Sequence, residues 1–212
     1  MFYWGYSLRS PLNIGIRHVL PTFPFIYLLI SREVVLWVRG KFNPSPANWR
    51  EWLVSLYRMY LAPIPRFLVL AALFIWLILE TLLSYPHFIS YYNELADGSA
   101  YGYRIAVDSN YDWGQDLKRL VKYADENQIP KVSLDFFGGG SPRYYLGDRF
   151  EPWWSAQGPA SGYFAISATF LQGAMGRTAP GFIRNPEDAY EWLSSYQPIG
   201  RAGYSIFIYK LP

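Results

Sequence analysis

The sequence Phe67-Leu68-Val69-Leu70-Ala71-Ala72-Leu73-Phe74-Ile75-Trp76-Leu77-Ile78-Leu79 decides the architecture of this chain, because it contains no charged side chain. Extended to residues 64–85, the apolar segment has about the 20 residues that a helix needs to cross ~30 Å of hydrocarbon. We therefore predict a transmembrane helix over residues 64–85.

A second apolar stretch, at residues 12–30, predicts another transmembrane helix. Pro21 and Pro24 fall inside this stretch, where they are expected to kink the helix or to free backbone groups from hydrogen bonding. Such a break is tolerated in a membrane when other helices pack around it. The stretch therefore predicts a helix that belongs to a larger bundle.

The residues between the two predicted helices indicate the orientation of the chain. From Ser31 to Arg66 there are six basic residues and two acidic ones, a net charge of +4. The positive-inside rule places the loop of residues 31–63 in the cytoplasm and both termini outside. Residues 86–212 carry eleven basic and thirteen acidic residues, which suits a separate extracytoplasmic domain. We divide the chain into a membrane region, residues 1–85, and this outer domain.

Composition excludes several classes of function. The net charge of +3 does not indicate nucleic-acid binding, because its source is the basic loop. The absence of cysteine excludes disulfides and thiolate metal sites. Two histidines in the whole chain argue against a metal site built from several histidines. We therefore expect no cofactor.

Residues 48–60, within the basic loop, follow the spacing of an amphipathic helix. Its aromatic and aliphatic residues fall on one face, and Asn48 can cap its start together with Glu51 three residues later. Basic residues flank this face, which favours a position on the inner leaflet. The alternative is a short helix that packs on a helical bundle.

The outer domain alternates between strand and helix patterns. We predict strands at residues 103–107, 131–137, 163–168 and 204–209, and helices at residues 115–127 and 186–195. Strands and helices in this order, with short connections, predict an α/β domain with a largely parallel or mixed sheet. The last strand has the option of pairing antiparallel.

Ligands of open α/β sheets bind outside the carboxyl ends of the strands, where the loop of residues 108–116 is expected. Its carboxylates, amides and aromatic rings are suited to sugar hydroxyls and sugar faces, and the candidate substrate-binding residues are Asp108, Asn110, Asp112, Trp113, Gln115 and Asp116. Asp108, Asp112 and Asp116 are alternatively oxygen ligands for a divalent cation, a less favoured interpretation. A purely structural role, with Asx turns, a helix cap and a core Trp113, is an equally good interpretation.

A second loop, Gly138-Gly139-Gly140-Ser141-Pro142-Arg143, allows close backbone approach to an anion or simply ends a strand. It lacks the Lys-Ser/Thr pair of a P-loop. Asp112 and Asp116 have a spacing that fits either a glycosidase-type carboxylate pair or two surface acids. The sequence therefore assigns no catalytic residue to the outer domain.

Arg17 and His18 stand at the edge of the first predicted transmembrane helix, within residues 13–25. Ionisable groups at such a position are costly and are functional candidates. The alternative is that both side chains only anchor the helix at the interface.

Three blocks of sequence resemble a known family. Residues 13–25 are similar to a late transmembrane helix of bacterial glycosyltransferases of the family 39 type, relatives of the protein O-mannosyltransferases with the GT-C architecture. Residues 102–117, with Val107-Asp108-Ser109-Asn110-Tyr111-Asp112-Trp113-Gly114-Gln115-Asp116-Leu117, resemble the start of the extracytoplasmic domain of some of these proteins. A weaker similarity covers residues 162–167 and 203–209.

The resemblance implies a function. Such enzymes transfer a sugar from a polyprenyl-phosphate carrier to an extracytoplasmic acceptor and are multi-pass proteins of the bacterial plasma membrane. Arg17 would neutralise the carrier phosphate, His18 would help to orient it, and the outer domain would cover the active site or hold the acceptor. The family's catalytic carboxylate lies in a first outer loop near the N-terminus.

Since this chain starts late in that pattern, we expect it to be the C-terminal portion of such an enzyme, from a fragmentary reading frame or a split gene. It would need the N-terminal helices of the same enzyme and would be inactive alone. The alternative is a membrane-anchored, non-catalytic carbohydrate-binding or interaction module.

Overall fold

A computed structural model describes residues 2–9, 19–39, 45–176, 183 and 190–212. These residues form two compact units, a helical unit up to Tyr85 and an α/β unit from Pro86 to Pro212. The boundary between the units coincides with the predicted boundary between the membrane region and the outer domain.

The helical unit contains four α-helices, which are α1 (Phe2–Arg9), α2 (Phe23–Val38), α3 (Trp49–Leu56) and α4 (Ile64–Leu83). In the described part of the chain, the segments Leu20–Val38 and Trp49–Leu83 are long and apolar enough to cross a membrane. Arg66, in the first turn of α4, donates a hydrogen bond of 2.7 Å to the carbonyl of Trp37 near the end of α2. This contact places a cation at a helix C-terminus, where the helix dipole favours it.

The predicted bounds of the first apolar helix, residues 12–30, are wrong at the C-terminal end. Residues 12–18 lie outside the described residues, a 3-10 turn covers Leu20–Thr22, and α2 continues eight residues beyond Ile30 to Val38. Pro21 and Pro24 stand in the first turns, where the missing N–H has no partner to lose, so in the described part of the helix they begin it instead of kinking it. Arg32 and Glu33 therefore lie in α2 and not in the loop, and they pair with each other at 3.0 Å.

The predicted cap of the loop helix is confirmed. Asn48 accepts a hydrogen bond of 2.9 Å from the amide of Glu51, and the Glu51 carboxylate accepts one of 2.8 Å from the amide of Ala47. The first bond satisfies an amide that the first helical turn leaves without a partner, and the second ties the residue before the cap to the same turn. Helix α3 ends at Leu56, and a π-helix over Tyr57–Leu61 leads toward α4, so the predicted single helix of residues 48–60 changes its hydrogen-bonding pattern midway.

A five-stranded mixed sheet organises the α/β unit, as the predicted parallel or mixed class requires. Its strands are β1 (Val132–Asp135), β2 (Phe150–Pro152), β3 (Gly162–Ser167), β4 (Gly200–Ala202) and β5 (Ile206–Leu211), in the order β2-β1-β3-β5-β4. Strand β1 is parallel to β2 and to β3, whereas β5 is antiparallel to β3 and to β4. The antiparallel option for the last strand is confirmed.

Two apolar layers cover the sheet. Helix α5 (Leu117–Glu126) packs on one face, where the strand residues Val132, Leu134, Ala165, Ile206 and Ile208 are buried. Helix α7 (Ala168–Met175) and the 3-10 turn Glu191–Ser195 cover the other face, onto which Phe164, Ile166, Phe207 and Tyr209 project. The alternation along β3 and β5 follows from the two-residue period of a strand. A short helix, α6 (Pro142–Leu146), connects β1 to β2.

One strand prediction is wrong and one helix prediction is only partly covered. Residues 103–107 do not form a strand; a 3-10 turn covers Gly102–Arg104, because the amides of Arg104 and Ile105 bond to carbonyls three residues earlier. Gly102 lies against the ring of Tyr92, so close that a Cβ at this position would collide with the ring. Of the helix predicted at residues 186–195, residues 186–189 lie outside the described residues, and Glu191–Ser195 form a 3-10 turn.

Candidate functional site

The loop of residues 108–116 lies at the predicted edge of the sheet. Strands β1 and β3 are parallel, so their carboxyl ends meet at one edge, where the amide of Phe137 donates to Ser167 Oγ at 2.9 Å. Asp108 donates its amide to Thr169 Oγ1 at 3.1 Å, just beyond β3. The chain thus brings this loop to the place where open α/β sheets bind ligands.

Asp116 is fully buried and is committed to the fold. Its Oδ2 accepts hydrogen bonds from the amides of Tyr204 and Ser205, at 3.0 and 2.9 Å, and its Oδ1 forms an ion pair with Arg119. A carboxylate that satisfies two amides and one guanidinium has little capacity left for a ligand. Asp116 therefore joins the start of α5 to the turn before β5.

Asp112 is also fully buried, but its hydrogen bonding is incomplete. Its Oδ1 accepts a hydrogen bond of 3.0 Å from the amide of Gly114, which closes an Asx turn. Neither Asp112 Oδ2 nor Ser205 Oγ has a well-formed hydrogen bond, although the Ser205 hydroxyl is near enough to lower the pKa of Asp112. Burial has the larger effect and raises this pKa to about 6.

Of the other four predicted residues, two form hydrogen bonds within or next to the loop and two are exposed at the surface. Gln115 supports the loop, since its Nε2 donates to Ser90 Oγ at 2.9 Å and to the carbonyl of Tyr111 at 3.0 Å. Asn110 donates a long bond of 3.5 Å to the carbonyl of Val107. Trp113 is 50% exposed, so it is not a core residue. Asp108 is exposed at a positive φ of 54°.

These positions disfavour two of the chemical interpretations. Asp112 and Asp116 are both inaccessible, so they are not an open carboxylate pair of the glycosidase type. Within the residues that the structure describes, no three aspartate, glutamate or histidine side chains are grouped so as to hold a metal ion. The alternative cation site at Asp108, Asp112 and Asp116 is therefore not formed.

The glycine loop packs against the first loop. A Cβ on Gly138 would lie 2.6 Å from the Cα of Gly114, so the two backbones approach as closely as only glycines allow. Ser141 caps α6 by accepting from the amide of Tyr144, and the guanidinium of Arg143 stands over the ring of Phe150 at 5.9 Å. These contacts give the glycine loop a structural role.

A buried pair that sequence reasoning missed lies at the end of β1. Tyr190 donates its hydroxyl hydrogen bond to Asp135 Oδ2, and burial raises the pKa of Asp135 to about 6. The same burial raises the pKa of the Tyr190 hydroxyl. The only signal in the sequence was the position of Asp135 inside the predicted strand of residues 131–137.

Sequence reasoning also missed a cavity of about 480 Å³ in the α/β unit, a volume typical of small-molecule sites. It lies beside the 3-10 turn Gly102–Arg104 and is bounded by α7 and β5. Its lining combines aromatic rings, amides and two guanidinium groups, among them Tyr101, Tyr103, Arg104, Gln172, Gln197 and Arg201. Residues so distant in sequence left no local motif to find.

The remaining candidates, Arg17 and His18, lie outside the described residues. Within the α/β unit, the cavity combines space with binding chemistry, and Tyr111 of the predicted loop packs against Tyr103 of its lining. Comparison of this chain with protein-family models, with curated proteins and with solved structures finds no match.

Proposed function

We propose that this chain is the C-terminal part of a membrane glycosyltransferase, in which the α/β unit faces the extracytoplasmic side and binds a saccharide in its cavity. The sugar would come from a polyprenyl-phosphate carrier, as the family resemblance implies. The observation that carries the binding role is the cavity itself, with its aromatic and amide lining.

The helical unit supports an anchor in a membrane. The apolar side chains of α4 are exposed, among them Leu68 and Phe74, and burial in lipid would remove that surface from water. The segment between α2 and α4 remains basic, with Arg39, Lys41, Arg50 and Arg58 against Glu51. This charge favours a cytoplasmic loop and an outer α/β unit.

The lining of the cavity is suited to a saccharide. Tyr101 is exposed, and the Arg104 guanidinium lies over its ring at 4.8 Å. The exposed part of the ring is suited to the C–H groups of a sugar, as aromatic residues are in carbohydrate sites. Gln172 and Gln197 each carry both a donor and an acceptor, which matches the hydroxyl groups of a sugar.

The proposed role for Arg17 and His18 is unchanged. Arg17 would hold the carrier phosphate and His18 would orient it. This assignment rests on the family resemblance and on the suitability of a guanidinium group for a phosphate.

A second candidate function is a membrane-anchored module that binds carbohydrate without chemistry. The observation that favours it is the lining of the cavity, whose described residues offer rings, amides and guanidinium groups for binding and no carboxylate for acid–base chemistry. Both candidates require a saccharide in the cavity, and they differ in whether sugar transfer occurs.

Binding by variants of the full chain in lipid nanodiscs tests the proposed function. Tyr101→Ala should weaken binding of a polyprenyl-phosphate glucose, or of a soluble glucan oligosaccharide, by about two- to tenfold, the range expected for one aromatic contact. Tyr144→Ala is the matched control, because Tyr144 is 81% exposed on α6 and is not part of the cavity. If Tyr101→Ala bound both ligands as the wild type does, the cavity would not be the saccharide site.

A further inference from the structure

Two guanidinium groups converge on one aromatic ring inside the cavity. The Cζ atoms of Arg104 and Arg201 lie 5.7 and 4.9 Å from the ring centroid of Tyr103. Arg201 also lies 4.0 Å from the ring centroid of Phe207. Stacking of this kind fixes the plane of a guanidinium and reduces the entropy that binding would cost.

The positive charge of this pair is not neutralised locally. Among the described residues that line the cavity there is no aspartate or glutamate. Neither arginine forms an ion pair with a carboxylate in the described part of the chain, and Asp97 acts on Arg104 only from beyond ion-pair distance. Two like charges facing one cavity repel each other and attract an anion.

Most of the donors of the two arginines remain available. Arg201 uses Nη1 to hold the carbonyl of Ala100 at 2.6 Å, and Arg104 uses Nε to reach the Tyr103 hydroxyl at 3.3 Å. Each guanidinium has five N–H donors in a fixed fork. The unused donors can form the paired hydrogen bonds that phosphate and carboxylate oxygens accept.

We propose that the cavity binds a saccharide that carries an anionic group, a phosphate in the first instance, with the anion held between Arg104 and Arg201. This inference rests on the proposed function in one respect, that the cavity is the saccharide site. The sugar would lie toward Tyr101 and Gln197, with its charged substituent at the arginine pair.

Calorimetric titration of the full chain, in nanodiscs of neutral lipid, tests this assignment with glucose 1-phosphate, glucose and inorganic phosphate. Glucose 1-phosphate should bind at least about tenfold more tightly than either glucose or phosphate alone, because it makes both sets of contacts. Raising the salt from about 50 to 500 mM should weaken its binding and leave that of glucose unchanged.

Arg104→Gln provides the matched variant, because Arg104 is exposed and its replacement leaves the core intact. It should weaken binding of glucose 1-phosphate by about three- to tenfold, a larger loss than for glucose, which lacks the anionic group. Arg143→Gln removes the same charge from α6, outside the cavity, and should change neither affinity. Equal losses in the two variants would reduce the effect to net charge and overturn the assignment.

The outcomes separate the two proposals. If glucose and glucose 1-phosphate bind equally well, the anionic group has no role and this inference is wrong, while the saccharide site stands. If none of the three probes binds, the proposed function fails as well. If phosphate alone binds as tightly as glucose 1-phosphate, the pair is a simple anion site and the saccharide assignment is overturned.

A competition experiment identifies the source of the ligand. Displacement of glucose 1-phosphate by polyprenyl-phosphate glucose in the same nanodiscs supports a ligand linked to lipid, and the carrier phosphate would then lie at the arginine pair and not at Arg17. Displacement by a soluble phosphorylated glucan and not by the lipid supports the same assignment, with a soluble ligand. Displacement by glucuronate as strong as that by glucose 1-phosphate would overturn the preference for phosphate.

Discussion

At the residue scale, two buried aspartates of similar sequence context differ in the partners that the fold supplies. Asp116 accepts hydrogen bonds from two amides and pairs with Arg119. Asp112 is equally buried with one oxygen lacking a well-formed hydrogen bond, so its charge is costly. The difference lies in the partners that the chain supplies and not in the residue type.

We predict that Asp112→Asn stabilises the protein at pH 7.5. The pKa of Asp112 rises from 3.8 to about 6 on folding, so its stabilising effect is complete below pH 3.8 and is lost as the pH rises through 6. A shift of this size corresponds to roughly 3 kcal/mol, at about 1.4 kcal/mol per pKa unit. Asparagine keeps the acceptor for the Gly114 amide and removes the charge.

Thermal unfolding of wild type and Asp112→Asn at pH 5 and pH 7.5 measures this effect. The advantage of the variant should be larger at pH 7.5 than at pH 5. The pKa of Asp135 is also raised to about 6, so this group too makes the protein less stable as the pH rises through 6. The pKa of His87 is lowered, so this group makes the protein less stable as the pH falls through 6.5. Asp116→Asn is the control and should destabilise the protein at both pH values. An advantage independent of pH would contradict the burial argument.

Gly203 is the second residue with a specific requirement. Its φ is +59°, and an added Cβ would collide with the carboxylate of Asp116. Gly147 has nearly the same φ, +58°, with no atom within 4 Å of the same position. Gly147→Ala therefore reports backbone strain alone, at φ 58° and ψ −129°, a conformation that L-residues rarely adopt, and Gly203→Ala should cost about 1–3 kcal/mol more through overpacking. Urea unfolding of both variants measures the difference; equal costs would mean that the Asp116 contact relaxes freely.

At the scale of elements, local patterns predicted those segments whose apolar period matched their burial. The amphipathic stripe of residues 115–127 became α5, and the β-branched or aromatic runs at residues 131–137, 163–168 and 204–209 became β1, β3 and β5. The short strands β2 and β4 were missed, because three residues carry too little periodicity to detect.

The wrong strand at residues 103–107 and the missed helix α7 have a common cause, which is tertiary context. Tyr103 packs against Phe207 and Tyr111, contacts that a local pattern does not contain. The candidate site was likewise predictable only where it depends on local sequence. The loop of residues 108–116 lies beside the carboxyl ends of β1 and β3, although the strand predicted to precede it does not form. The cavity is built from segments about 100 residues apart, which include Tyr101 and Arg201.

Helix α4 permits a direct test of insertion into lipid. Leu77, near its middle, is 60% exposed. Replacing a leucine by arginine at the centre of a transmembrane helix costs about 3–4 kcal/mol of insertion free energy. Leu77→Arg should therefore increase the fraction of protein extracted by alkaline carbonate. Leu95→Arg, at a position that is 96% exposed in the α/β unit, is the control and should not change extraction. Retention of Leu77→Arg equal to wild type would mean that α4 does not lie in lipid.

At the scale of the whole molecule, charge separates the two units. The segment between α2 and α4 is basic, the α/β unit from Pro86 is slightly acidic, and the overall net charge of +3 conceals this division. If α2 and α4 cross a membrane, the polar α/β unit would lie on one side of it. The positive-inside rule would place that side opposite the basic segment between α2 and α4.

We predict that the C-terminus is extracytoplasmic. A reporter that is active only in the cytoplasm, fused after Pro212, should give no signal, and one that is active only outside should give full signal. Replacing the basic residues Arg39, Lys41, Arg50 and Arg58 by glutamine removes the retained charge and should shift part of the population to the opposite orientation. The matched control replaces Lys118, Lys122, Lys131 and Arg143 in the α/β unit, which removes an equal charge far from the helix ends and should leave the orientation unchanged. A strong cytoplasmic signal from the unsubstituted chain would place the saccharide cavity on the wrong side for an extracytoplasmic acceptor, and the proposed function would have to be abandoned together with the topology.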